Sequence, residues 1–323
     1  MTNYLIKRLV MMVPLLLGIT IISFGMMHLA PGEPSVVGGA MDPKVSAADV
    51  ERLRSYYGLD KPLYIQYLDW LDRLIRLDFG NSFSSDSRPV VDKIVERLPV
   101  TLWINLLAMV LIVVVAIPIG VVSSVHQDSW LDRSLTLFVF IGFAIPSFWL
   151  GLLLMIALGV QHSWLPISGM HSYGWQQMGW WSQQSDLLIH LIMPVLISAI
   201  GGIAGMSRFM RTGMLDVIRS DFITTARAMG AREQVIYYRY ALRNALLPII
   251  TLLGLSVPGL IGGSVIVEQL YSIPGMGLLF YEAVLSRDYP LVMGITVIGA
   301  VLTLLGNLLA DLAYGWADPR MRS

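Results

Sequence analysis

The chain has 323 residues, 55% of them hydrophobic and only 14% charged, with 22 lysines and arginines against 22 aspartates and glutamates. So few charges exclude an ordinary soluble domain, which carries about 25% charged residues, and put much of the apolar surface in lipid. Zero net charge gives no footprint for nucleic acid, and the lack of cysteine removes disulfide frameworks, zinc–thiolate sites and thiol chemistry.

Lys7 and Arg8 precede an apolar run from Leu9 to Leu29. A signal-peptide core is only about 7–15 residues, so this run reads as a first membrane helix, with a signal anchor as the alternative. Five more apolar stretches follow, at 101–124, 134–159, 187–207, 244–267 and 290–314. Each approaches the roughly 20 residues that cross a bilayer core. Several hold proline and glycine: Pro14 and Gly18, Pro118 and Gly120, Pro146 and Gly151, Pro258 with Gly262 and Gly263. Membrane helices tolerate them because neighbouring groups re-satisfy the freed backbone. The expected fold is an all-α membrane protein with six transmembrane helices.

The 30–100 segment reads as folded. Ser46 offers a helix start before VERLRSYYG, Gly58 an end, and Pro62 the opening of a second helix. In that helix Tyr64, Tyr67, Leu68, Leu71, Leu74 and Ile75 recur at helical spacing, apart from Asp72, Arg73 and Arg76. Such an amphipathic helix lies on the membrane surface, caps a pore mouth, or simply packs on the bundle. The 160–186 loop carries Trp164, Trp175, Trp180 and Trp181, which suit the headgroup level; contact with a ligand is the other reading.

Basic residues set the expected orientation. Lys7 and Arg8, the arginines of 208–243 (Arg208, Arg211, Arg219, Arg227, Arg232, Arg239, Arg243) and Arg320 with Arg322 fall on one side of a six-span chain. That side is the cytoplasm, so both termini lie inside and 30–100 lies outside.

The informative loop is SDFITTARAMGAREQVIYYRYALRNALLP, 220–248. Ser220 or Asp221 can cap a short helix running through Met229, and Gly230 can end it in the left-handed conformation. A second helix restarts near Arg232. The short helix joins small residues, Thr224, Thr225, Ala226 and Ala228, to apolar Phe222, Ile223 and Met229. That pattern suits entry into a partner's groove, and equally a helix flat on anionic lipid; the pattern leaves both open.

EQLYSIPGMGLLFYEAV, 268–284, places Gly275 and Gly277 around Pro274. It reads as a tight re-entrant turn at the outer face, a gate region, or as a plain connection. Polar residues within the spans mark candidate functional positions: His28, Asn105, His190, Asn244, Asn307 and Asp311. They form no proton-relay or ion-site spacing, and no internal repeat stands out, against an ion-coupled secondary transporter. There is no phosphate-binding Gly-Lys-Ser/Thr loop, HExxH or GxSxG. His162 and His171 flank SWLPISGM at a spacing poor for a metal.

Taken in order, these segments resemble one family. YLIKRLVMMVPLLLGITIISFGMMHLAPGEP (with Glu33 where aspartate is common), YYGLDKPLYIQY, LDFGNSF, ERLPVTLW, SWLDRSLTLFVFIGFAIPSFWLGLLL, SWLPISG, VIVEQLYSIPGMGLLFYEAVLSRDYPLVMG and the terminal DPR are similar to ABC importer permeases of the peptide/nickel (DppB/OppB-like) family. The resemblance covers nearly the whole chain. It implies the type I ABC importer permease fold, with 1–94 as an N-terminal helix plus external segment, 95–315 as the core permease domain and 316–323 as a cytoplasmic tail.

Residue by residue, Thr224, Thr225 and Ala226 stand at the family's EAA place and Gly230 at its glycine. The glutamate is absent, and the distance to Leu247-Pro248 is longer than in sugar or amino-acid importers. The resemblance implies that Asp221, Phe222, Thr224, Thr225, Ala226, Arg227, Met229, Gly230 and Arg232 form a coupling helix seated in an ATPase cleft. It implies a non-catalytic subunit of a bacterial or archaeal cytoplasmic membrane importer, without a cofactor of its own. Implied partners are a second, DppC/OppC-like permease, two ATPase subunits that bind ATP-Mg, an external binding protein and membrane lipid. Implied cargo is a di- or oligopeptide, with nickel, glutathione or another small solute as alternatives.

Overall fold

Long aliphatic runs without strand alternation give helices throughout. The structure, a computed structural model, describes residues 2–29 and 47–317. Its main helices are α1 Thr2–Leu29, α2 Ala47–Tyr56, α3 Leu63–Ile75, α4 Val90–Val125, α5 Trp130–Ala144, α6 Ser147–Leu154, α7 Trp180–Ile218, α8 Asp221–Ala228, α9 Leu242–Ser256, α10 Val265–Leu270, α11 Met276–Ser286 and α12 Tyr289–Ala317. Wider π-helical turns occupy Met155–Gln161 and Ile236–Ala241. Among the described residues there is no strand, only an isolated bridge between Asn81 and Pro89. Ser46, Glu33, the terminal Asp318-Pro319-Arg320, Arg322 and the side chain of Asp311 lie outside the described residues.

Among the described residues, five helices are long and apolar enough to cross a membrane, and a sixth crossing exists if the pair Trp130–Ala144 and Ser147–Gln161, bent by 100°, counts as one span. The expected continuous third span is therefore broken. Proline lacks an amide hydrogen and pushes its predecessor out of the helical region. Ile145 accordingly sits at φ −80°, ψ 125°, and Pro146 becomes the first cap of α6. The fifth span stops at Leu260, short of the expected Gly262, Gly263 and Val267, because Val257–Leu260 tightens into a 3₁₀ turn around Pro258. Pro14, Pro194 and Pro248, by contrast, stay inside helices.

The chain divides into two compact units, one of residues 1–101, 261–265 and 274–323, the other of 102–260 and 266–273. In the first, α3 turns Trp70, Tyr67, Leu71 and Leu74 onto Phe24, Met293 and Val297. Thr20 and Tyr67 share a hydrogen bond of 2.9 Å. The α3 stripe is thus a packing face for α1 and α12, while Tyr64, Leu68 and Ile75 remain exposed. Beside it, Asp288 at the start of α12 accepts from the Ser82 hydroxyl and from Leu291 N. Lys93 Nζ donates to Ser82 Oγ at 3.0 Å and Ser84 Oγ at 2.5 Å, and pairs with Asp86 at 2.8 Å. The Lys93 hydrogen bond holds the Asp86 carboxyl down at about 2.

In the second unit α7 is the hub, touching α5, α6 and α9. Val121, Met210, Met214, Ala245 and Ile249 form its buried core. At Gly120 a Cβ would lie 2.6 Å from Met210 Cβ and 2.7 Å from the Ser207 carbonyl oxygen, so α4 and α7 meet backbone to backbone. Trp164, Trp180 and Trp181 are exposed; Trp175 instead stacks on His171 and donates to Gln183 O at 3.3 Å.

Candidate functional site

The loop between the fourth and fifth spans is built from the end of α7. Ser220 holds the N-cap position of α8 in extended conformation, but its hydroxyl donates back to Val217 O at 2.6 Å. The side-chain cap expected from Ser220 is therefore not made. Asp221 in the first turn and Arg227 in the last both suit the helix dipole. Inward-facing Ile223 is fully buried and Ala226 nearly so, and α8 packs against the following π-helical turn. Burying an isoleucine contributes about 2 kcal/mol, enough to hold a short helix that would not form alone.

The outward face is different. Phe222 is 48% exposed and Met229 77% exposed. Asp221, Thr224, Thr225, Arg227, Gly230 and Arg232 are exposed with them. Thr225 spends its hydroxyl on Asp221 O at 3.0 Å. Gly230 adopts φ +82°. Its N–H reaches Arg227 O at 2.9 Å and the Ala231 N–H reaches Ala226 O at 3.1 Å, a Schellman closure that needs a left-handed residue. Arg227 then grips Glu233 through Nε at 2.9 Å and Nη2 at 3.2 Å. The pair is exposed, so it adds little stability, but it fixes where the next helix restarts. The restart falls at Glu233, with Arg232 as its cap position.

Below this loop lies a cluster that a sequence reading does not assemble. Asp132, 3% exposed, sits in the first turn of α5. Its carboxylate accepts from Arg211 Nε at 3.0 Å and Nη2 at 2.7 Å, from the Ser123 hydroxyl, and from Asp128 N at 3.0 Å. The one sequence signal is Ser129 three places before Asp132, a helix-start spacing; Ser129 Oγ does accept from Asp132 N, at 3.2 Å.

Two family models match the chain. "Binding-protein-dependent transport system inner membrane component" covers residues 116–323, and the N-terminal model of the same systems covers 1–105. The oligopeptide transport system permease protein AppB of Bacillus subtilis is 44% identical, over 99% of both chains. The glutathione transport system permease protein GsiC of Pectobacterium atrosepticum is 35% identical, over 100% of this chain and 99% of the other.

The chain belongs to the binding-protein-dependent transport system inner membrane components.

A solved MetNI methionine ABC transporter is also similar, with a TM-score of 0.49 and 17% identity over 68% of this chain and 95% of that one. As a member of this family the chain is a multi-pass, non-catalytic permease subunit of an ABC importer, and hydrolysis of ATP resides in other subunits.

In this permease the other predicted positions separate. Gly275 has φ −103° and Gly277 lies buried in the first turn of α11, so neither uses glycine's left-handed freedom. The left-handed residue of that turn is Ser272, at φ +52°. Gly277 instead lines a cleft of about 280 Å³ with Gly262, Gly263 and Phe280, and Pro274 is half-buried beside it in sequence. His28 bonds Phe24 O at 2.9 Å and Gln66 at 3.3 Å. His190 bonds Asp186 O at 2.8 Å, Asn105 donates to Leu260 O at 2.8 Å and Asn244 to Tyr240 O at 2.8 Å. Asn307 is half-buried on α12. His162 bonds Ala157 O at 2.7 Å, while burial pushes the His171 imidazole below its usual value against the raising effect of Asp186.

Proposed function

We propose that this permease moves di- or oligopeptides and takes its power stroke through α8. The carrying observation is the two-faced helix: Ile223 and Ala226 anchor it while Phe222 and Met229 project outward. Exposed apolar knobs on a rigid, well-anchored loop suit a partner's cleft. The EAA-like placement of Thr224, Thr225, Ala226 and Gly230 supports an ATPase subunit as that partner.

The assembly is two permease subunits, two ATPase subunits that bind ATP-Mg and an external binding protein, in a bacterial or archaeal cytoplasmic membrane. Both termini and α8 face the cytoplasm. Residues 1–94 supply the first helix and the external segment, and 95–315 the core. ATP draws the ATPase subunits together, the coupling helices follow, and the spans rock between inward-open and outward-open states. The groove of about 640 Å³ walled by Asn105, Ala108, Gly202, Gly205, Ser256 and Gly259 suits one wall of the path. At Gly205 and Gly259 a Cβ would meet nothing within 4 Å, so backbone there lies within reach of an extended peptide, and the buried Ser198 hydroxyl there has no partner among the described residues.

Peptide cargo is supported by the 44% identical oligopeptide permease. Glutathione, itself a tripeptide, is the second reading, favoured by the 35% identical glutathione permease. Proteoliposomes holding the whole importer decide between them. ATP-driven uptake of tetra-alanine is expected and is lost in Gly230→Glu. Uptake of glutathione alone favours the second reading, and full uptake by Gly230→Glu removes α8 from the power stroke.

A further inference from the structure

We propose that the Asp132–Arg211 pair is a mechanical clamp that makes the α8-bearing end of α7 and the start of α5 move as one body, so that displacement of α8 is delivered to the broken third span. The proposal rests on the reading of α8 as the ATPase contact.

One carboxylate joins four pieces of chain. Arg211 on α7 holds both oxygens of Asp132, at 3.0 and 2.7 Å. Ser123 brings in the end of α4, Asp128 N the intervening turn, and Thr136, at 3.4 Å, the next turn of α5. A second tether repeats the link nearer α8, where Arg219 Nη2 donates to Gln127 Oε1 at 3.2 Å. On the other side of the clamp, the absence of room for a Cβ at Gly120 removes slack between α4 and α7. From Asp132, α5 continues as one α-helix to the 100° break at Ile145 and Pro146. A push at its start therefore acts on a stiff helix that ends at a preformed hinge.

The energetics argue against a mere fold staple. Asp132 is buried while Arg211 keeps 29% of its side chain exposed; a buried or half-buried ion pair is a poor stabiliser, and an apolar pair of similar size is often neutral or better. Packing of α7 on α4 and α9 is already supplied by Val121, Met210, Met214, Ala245 and Ile249. What the pair adds is the fixed two-point geometry of guanidinium on carboxylate, which an apolar contact lacks.

The test uses the complete importer in nanodiscs. This chain has no cysteine, so spin labels at Asp216→Cys on α7 and Phe138→Cys on α5 report their separation directly. Both sites are exposed. With the pair intact, one narrow distance is expected, the same in nucleotide-free and vanadate-trapped complexes. In Asp132→Leu/Arg211→Met the distance changes with nucleotide. Basal ATP hydrolysis stays near that of the parent, and its stimulation by the binding protein with co-purified ligand falls about tenfold. Asp132→Glu/Arg211→Lys, which keeps the charges and loses the two-point fit, shows the same loss and serves if the apolar pair does not assemble. A constant distance with full stimulation in both double variants overturns the clamp, as does a nucleotide-dependent distance in the parent. Gly230→Glu separates the two readings: full stimulation in that variant fails α8, whereas loss there with intact clamp variants fails the clamp alone.

Discussion

Tyr271 donates its phenolic hydrogen to the carbonyl oxygen of Gly151 at 3.1 Å, across 120 residues of sequence. The same tyrosine accepts from Gly169 N through its own carbonyl at 2.8 Å. It is 1% exposed, and burial pushes its hydroxyl up to about 12, so it stays a neutral donor at any working pH. At Gly151 a Cβ would lie 2.7 Å from Leu270 Cδ2. One ring thus pins the turn after α10 to the second half of the broken span.

Tyr271→Phe removes that hydrogen bond and leaves the ring in place. The Gly151 carbonyl keeps the Met155 N–H, so the expected loss is about 1 kcal/mol. Tyr271→Ala also opens a cavity, and the expected loss rises to about 3–5 kcal/mol. Thermal unfolding of the purified importer checks the ranking; equal midpoints for the two variants contradict it.

Gly120→Ala is expected to destabilise by about 1–3 kcal/mol, because Met210 Cβ and the Ser207 carbonyl stand where the methyl must go. Gly205→Ala on the facing helix is the control. Nothing lies within 4 Å of its Cβ, and the better helix former contributes up to about 1 kcal/mol. Midpoints shifted in opposite directions are the predicted outcome, and a stable Gly120→Ala contradicts the close approach of α4 and α7.

Gly230 separates backbone need from partner need. A Cβ there meets nothing within 4 Å of this chain, yet φ is +82°. Gly230→Ala is expected to cost about 1–2 kcal/mol through the left-handed backbone. Asparagine tolerates that conformation, so Gly230→Asn folds like the parent. On the proposed docking of α8 it still loses ATP-driven uptake, because an added side chain projects into open space at Gly230. Normal uptake by Gly230→Asn shows that only the backbone demands glycine.

Much of the bundle was legible because aliphatic runs are a local property of the sequence. Helix α8 begins at Asp221 as read and ends one residue earlier than Met229, and Gly230 takes the left-handed turn. Pro62 does precede α3. Hydropathy counts apolar residues and is blind to direction, so it does not distinguish the bend at Pro146 from Pro194 and Pro248, which helices absorb. The 257–260 turn was missed for the same reason. In sequence, Arg211 is indistinguishable from the other arginines of 208–243. Its partner Asp132 lies 79 residues away, and no spacing rule joins residues that only tertiary packing brings together. The inward turn of Ile223 beside outward Phe222 also depends on the π-helical turn against which α8 rests.

The central claim, that the outer face of α8 seats on an ATPase subunit, is tested most directly by photocrosslinking. A benzophenone attached to Met229→Cys, in a chain with no other cysteine, is irradiated in the assembled importer through the nucleotide cycle. Tyr173→Cys, fully exposed in the 162–179 loop, is the control. An adduct between Met229 and an ATPase subunit, with none from Tyr173, is the predicted result. Adducts of Met229 with lipid alone, in every nucleotide state, contradict the account.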